Sequence, residues 1–101
     1  MTLLTSDQTH ELAEIFRLLG DPTRLAIVLA VGDGTRPVGV VAESLGLSPS
    51  LVSHHLRLLR AARLVRAERQ GKQVFYALAD DHVHDVVQDM AAHVREPHPE
   101  E

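Results

Sequence analysis

Three stop-and-restart signals fall within thirty positions of this chain: Gly20-Asp21-Pro22, Gly32-Asp33-Gly34 followed by Pro37, and Gly46-Leu47-Ser48-Pro49. Each puts glycine where a helix can end. The first and last then supply a capping side chain and a proline, whose missing N–H costs nothing in the first turn of a new helix. A chain cut this way must pack several short helices together. The first helix is predicted over about 7–19, because Leu12, Ile15, Phe16 and Leu19 recur at helical spacing behind Ser6 or Asp7 as N-cap, with Gly20 stopping it in a left-handed conformation. Further helices are predicted over about 22–31, from Pro37 through Leu45, and over about 49–62.

From Leu64 the apolar period changes from helical to two. Val65 and Ala67 alternate with Arg66 and Glu68, and Val74, Tyr76 and Leu78 alternate with Phe75 and Ala77. Period two specifies strands, and Gln70-Gly71-Lys72-Gln73 joins them as a hairpin whose glycine can take positive φ. Asp80 or Asp81 then caps a last helix to about residue 96, with Val83, Val86, Val87, Met90, Ala91 and Val94 as its apolar stripe. With 101 residues and no linker or repeat, this is a single domain, 1–101. It is mainly α with a β-hairpin, in the order helix, helix, helix, helix, hairpin, helix.

The formal charge of −4 argues against a nucleic-acid partner only until its distribution is considered. Arg57, Arg60, Arg63, Arg66, Arg69 and Lys72 lie within sixteen positions that hold one acid, Glu68. From Asp80 onward there are seven acids and one arginine, with His82, His84, His93 and His98 among them. Two surfaces with different chemistry are expected. Zero cysteines exclude disulfide scaffolds, thiolate metal clusters and cysteine nucleophiles. No apolar run approaches the roughly 20 residues of a membrane span, and the start lacks a basic leader, so a soluble cytoplasmic protein is expected.

Two short helices joined at Gly46-Leu47-Ser48 and followed by a basic hairpin have the order of a winged helix-turn-helix. Ala42, Gly46 and Val52 supply the small crossing residue, the permissive turn residue and the apolar anchor. On the fourth helix Val52, Leu56 and Leu59 share one face, whereas Ser50, Ser53, His54 and Arg57 face away and are candidates to read base edges. Arg66, Arg69, Gln70 and Lys72 on the hairpin are candidates for the backbone or minor groove. Of the neighbouring His54 and His55, one is expected to point outward and one to pack inward, since consecutive helix positions differ by about 100°.

Leu18-Leu19-Gly20-Asp21-Pro22-Thr23-Arg24-Leu25, then Ser50-Leu51-Val52-Ser53-His54-His55-Leu56-Arg57-Leu58-Leu59 and Leu64-Val65, resemble the ArsR/SmtB family of dimeric winged-helix transcriptional repressors. The resemblance covers nearly the whole chain. It implies a homodimer on double-stranded operator DNA, released when an inducer binds.

The last helix carries Asp80-x-His82 near its start and His93-x-x-Glu96 at its end, donors that suit a borderline divalent ion without thiols. His82 and His93 are eleven residues apart, so about 16 Å of helix separates them and one ion cannot touch both. The pairs are mirrored about a point near Gln88. A twofold axis there would bring Asp80 and His82 of one chain to His93 and Glu96 of another, making two intersubunit sites. The spacing resembles the fifth-helix site of zinc-responsive family members at all four positions. The resemblance also implies that the ring of His93 bonds a backbone carbonyl near Arg63. Where relatives carry a cysteine motif on the third helix, this chain has Pro37-Val38-Gly39-Val40, which has no ligand. Four donors suit Zn²⁺; His84, His98 and His10 could extend the set toward the six favoured by Ni²⁺ or Co²⁺. A repressor with no metal response is the further alternative.

Leu12, Ile15, Phe16, Val83, Val87, Met90 and Ala91 are expected at the dimer interface. No enzyme is expected, because the ligand pattern offers no general base and a closed four-donor site leaves no position for water. Three aromatics, Phe16, Phe75 and Tyr76, give no base-stacking platform for single strands.

Overall fold

The computed structural model describes residues 3–97 and Pro99. Its elements are α1 (Ser6–Leu19), α2 (Pro22–Val31), β1 (Arg36–Pro37), α3 (Val38–Leu45), α4 (Pro49–Ala61), β2 (Val65–Gln70), β3 (Gln73–Leu78) and α5 (Asp81–Arg95). This is the winged helix-turn-helix arrangement. Among the described residues no helix is long and apolar enough to cross a membrane.

The helix starts follow side-chain chemistry. Asp21, Ser48 and Asp80 each accept a hydrogen bond from a backbone N–H in the first turn of α2, α4 and α5, relieving donors that the helix cannot satisfy itself. The cap of α1 is neither Ser6 nor Asp7. Thr5 holds that place in a capping box, accepting from the Gln8 N–H while the Gln8 side chain accepts from the Thr5 N–H. Three adjacent polar residues can all cap, and only the reciprocal partner three positions on distinguishes them.

Two helix ends differ from expectation. Gly20 is right-handed (φ −73°), because the chain reverses only at the extended Asp21. The expected stop at Gly46 is left-handed (φ 66°), and there the Leu47 N–H bonds the Ala42 carbonyl and closes α3. The end of α4 uses the same device, yet the left-handed residue there is Arg63 (φ 61°), with the Leu64 N–H on the Leu59 carbonyl. At the end of α2, the Arg36 guanidinium donates to the Ala30 and Val31 carbonyls at 2.6 and 2.8 Å.

Pro37 does not open α3. It is extended and caps the helix without a side-chain bond, after pairing with Phe75 as Arg36 pairs with Tyr76. The sheet is therefore three-stranded and antiparallel, in the order β1-β3-β2. A proline is tolerated on the edge strand, where no ladder bond requires its N–H. Two residues are too few for a periodic signal. The central position of β3 also explains why its alternation fades: Val74, Phe75 and Tyr76 are all half-buried, and Ala77 and Leu78 are both buried. Gly71 (φ 63°) is the first residue of the two-residue turn between Gln70 and Gln73.

Ile27, Val28 and Val31 of α2, Val41 of α3, and Val52, Leu56 and Leu59 of α4 have no exposed surface. With Leu64, Val65, Leu78 and Val87 they make one aliphatic core, so the reading helix is clamped along its inner face. Replacing Leu56 with Ala is expected to destabilise the fold by about 2–5 kcal/mol through lost transfer energy and the cavity left behind. Gly46→Ala meets no atom within 4 Å, so only the left-handed backbone penalty of about 1 kcal/mol is expected. Urea denaturation of the two variants checks both values.

Candidate nucleic-acid interface and metal-ligand pairs

With Val52, Leu56 and Leu59 turned inward, α4 presents Ser50, His54 and Arg57 to solvent, while Ser53 is half-buried at the edge of that face. His54 and His55 divide as their 100° offset requires. The first is exposed, and the second is half-buried with its Nδ1 accepting a hydrogen bond from Arg24 Nε at 3.2 Å. Burial, then the Arg24 charge, hold the His55 ring below the usual histidine range.

On the hairpin, Arg69, Gln70 and Lys72 are exposed at the turn. Arg69 Nε donates to the Gly71 carbonyl at 3.3 Å, which keeps its side chain near the tip. Arg66 sits lower and is engaged: it donates to Glu68 at 3.1 Å and lines a shallow polar hollow with Asp33, Asp80, Asp81 and His84. Glu68 also accepts from Gln70 at 3.3 Å. Residues two apart on a strand share a face, which places all three side chains within reach. The single acid in the basic stretch thus lies between two of the four candidate wing contacts.

The metal-ligand candidates fall at opposite ends of α5. Asp80 and His82 approach to 3.7 Å at its start, with the His82 side chain 96% exposed; Asp80 Oδ1 also receives the Val83 N–H as helix cap. His93 and Glu96 are exposed at the other end. Among the described residues no three His, Asp or Glu side chains of one chain meet in a way that would hold an ion. Each end offers two donors of suitable chemistry, fewer than the four of a closed tetrahedral site. No hydrogen bond joins His93 to Arg63 among the described residues. The left-handed Arg63 sends its guanidinium to Glu11 of α1 at 2.6 Å instead.

The additional histidines are placed differently. His84 Nε2 lies 2.6 Å from Asp33 and its Nδ1 3.0 Å from Asp85, so the ring ties α5 to the loop after α2. Asp85 first, and Asp33 with it, push the His84 pKa up. The His10 Nδ1 lies 2.8 Å from the Ser6 carbonyl within α1. His98 lies outside the described residues. Neither the Arg24–His55 bond nor the Asp33–His84 contact was legible in the sequence, since each joins residues far apart in the chain.

The apolar residues assigned to a dimer interface also divide. Val87 is 6% exposed and belongs to the chain's own core, with Val83 and Ile15 packed against it. Ile15 and Val83 are half-buried, and Val87 lies at the floor of the apolar groove between α1, α2 and α5. Leu12, Phe16 and Met90 are exposed, as are Val86 and Val94, and Ala91 is half-buried. Phe16, Met90, Ala91, Val86 and Val94 line a groove of about 570 Å³ between α1, α2 and α5.

The family model described as "Bacterial regulatory protein, arsR family" matches residues 21–67, from the α2 cap into β2. The chain is 39% identical over 94 residues to a transcriptional repressor SmtB homolog of Synechocystis sp., covering 93% of this chain and 71% of that protein. The chain belongs to the ArsR family. A second relative, the transcriptional repressor SmtB of Mycobacterium tuberculosis, is 42% identical over 83 residues, 82% of this chain and 62% of that protein. The match therefore spans less than two thirds of that relative's length. A homodimeric winged helix-turn-helix DNA-binding domain from Mycobacterium bovis superimposes with a TM-score of 0.79 at 25% identity, covering 100% of this chain and 99% of that one. The relatives are transcriptional regulators, DNA-binding proteins rather than enzymes.

Because Asp33 and Asp85 both favour the charged ring, the stabilisation from His84 is complete below the ordinary histidine pKa and is lost as pH rises through the raised one. Asp33→Asn is expected to move the His84 pKa back toward the ordinary range, with Asp85 retaining part of the shift. An NMR titration of the His84 ring protons reads this directly.

Proposed function

We propose that the protein is a homodimeric transcriptional repressor that binds double-stranded operator DNA through α4 and the hairpin, and that a divalent metal ion, Zn²⁺, acts as its inducer. The observation that carries the DNA reading is the outward row Ser50, His54 and Arg57 on a helix whose opposite face is wholly sealed in the core. A helix held that way can present the same side chains to each base pair it meets. The N-terminus of α4 adds backbone N–H groups suited to phosphate. Arg69, Gln70 and Lys72 at the hairpin turn would follow the backbone or minor groove, with Arg66 contributing least because Glu68 engages it.

The mirrored donor pairs at the two ends of α5 support the metal reading. Asp80 and His82 of one protomer with His93 and Glu96 of its partner make a four-donor set, twice per dimer, and four N and O donors suit Zn²⁺. A six-donor set for Ni²⁺ or Co²⁺ would have to draw on His84, His10 or His98. The engagement of His84 by Asp33 and of His10 by the Ser6 carbonyl favours the smaller set. Dimerisation through the exposed side chains Leu12, Phe16, Val86, Met90 and Val94 would cover an apolar groove and carry α5 toward a second copy of itself. The homodimeric state of the related Mycobacterium bovis domain supports this assembly.

Fluorescence anisotropy of the metal-free protein on its own promoter DNA, repeated with Zn²⁺, Ni²⁺ and Co²⁺ at fixed salt, tests the reading. Zn²⁺ is expected to weaken binding by about 5- to 150-fold, the usual range for coupled sites. Binding indifferent to all three ions would make the protein a metal-independent repressor. His93→Ala is expected to keep operator binding and lose the metal response, and loss of binding by the metal-free variant would contradict that assignment. Arg57→Ala is expected to weaken operator binding while leaving metal binding intact. Met90→Glu should convert the dimer to monomer in sedimentation analysis.

A further inference from the structure

The contact between Arg24 and His55 lies outside every role assigned so far. Arg24 is in the first turn of α2, where its backbone N–H is held at 2.9 Å by the Asp21 cap. Its guanidinium reaches in two directions: Nε donates to His55 Nδ1 of α4 at 3.2 Å, and a terminal nitrogen donates to the Leu18 carbonyl at the end of α1 at 3.4 Å. One side chain thus bridges three helices. All three partners are half-buried or buried.

The chemistry of this bond is directional. Arginine stays charged and can only donate, so the Nδ1 that receives it carries no proton, and the neutral ring holds its proton on Nε2. We infer that His55 is a positioning residue for the DNA-reading helix, fixing the rotation of α4 through its hydrogen bond to Arg24. This role rests on the DNA-reading function proposed above. The aliphatic contacts of Val52, Leu56 and Leu59 keep α4 in the core but tolerate small rotations, because dispersion contacts have no preferred angle. A hydrogen bond does have one. The His54 ring lies beside that of His55, with ring centroids 5.6 Å apart. The core decides that His55 turns inward, and the bond to Arg24 fixes the fine rotation of α4 about that setting, and with it the directions of Ser50, His54 and Arg57.

Protonation of His55 would place a donor opposite a donor and a cation beside Arg24. The charged groups around the ring are Arg24 and the Asp21 carboxylate from the start of α2, and His54 from α4 itself. Asp21 alone favours the charged ring, and burial and Arg24 outweigh it.

The test uses the full-length protein and the duplex that the wild type selects from a random-sequence pool, with affinities measured at fixed salt. His55→Leu keeps bulk and removes the acceptor; an affinity loss of about 10-fold is expected, with the thermal transition and circular dichroism retained. His55→Gln returns an acceptor and is expected to recover most of that loss. The affinity of the wild type relative to His55→Gln should fall once the pH is low enough to protonate His55, the other histidines being common to both proteins. Nitrogen NMR should find Nδ1 of His55 unprotonated at pH 7. A His55→Leu protein that is folded and binds like the wild type, or a ring protonated on Nδ1, overturns the positioning role alone. Should His55→Leu fail to fold, the comparison of wild type with His55→Gln across pH decides, and a ratio that stays flat where NMR shows the His55 ring protonated overturns the role. A wild type that selects no duplex overturns the DNA-reading function and this role with it.

Discussion

The inner face of α4 against α2 is the contact on which the outward chemistry depends. Val52, Leu56 and Leu59 share one core with Ile27, Val28 and Val31, and all six are without exposed surface. A polar face on a helix has a defined direction only when the apolar face behind it is fixed. In a chain of 101 residues there is little other core to spare, so the same side chains that stabilise the domain also aim its basic surface.

The last helix has a similar economy, with its apolar residues divided between two neighbours. Val83 and Val87 join the protein's own core, while Val86, Met90 and Val94 lie on an exposed strip. Positions three and four apart lie on one face and positions one apart do not, so a single 15-residue helix serves both surfaces. Its two ends carry the candidate ligand pairs. Val87 ties this helix to the core, and the His84–Asp33 contact ties it to the loop after α2. That loop leads through Arg36, which closes the end of α2 and pairs with the centre of the sheet.

Much of the fold was legible in local signals. Proline after a capping residue at Asp21-Pro22 and Ser48-Pro49, and glycine in the hairpin, act through their immediate neighbours, and the helices and turn formed where those residues stand. What was not legible depended on distant partners or on too short a run. β1 is only two residues long, and the left-handed stop of α4 falls on Arg63 rather than on a glycine. The candidate site divides in the same way. Exposure of His54 and Arg57 followed from helical spacing, whereas the engagement of Arg66 by Glu68 and of His84 by Asp33 did not.

The sequence by itself determined the order of elements, the basic and acidic halves, the absence of thiol chemistry, and the placement of two donor pairs eleven residues apart on one helix. These are properties of spacing and composition, and spacing along a helix is fixed by backbone geometry alone. Only the tertiary structure decided which members of the last helix's apolar stripe and of the hairpin's basic set are free: Met90 is exposed where Val87 is buried, and Arg66, not Arg69, is engaged by Glu68. The reason is physical. Neighbouring candidates have nearly the same intrinsic chemistry, and the choice between them is made by a partner, such as Glu68 or the core, that folding brings against them.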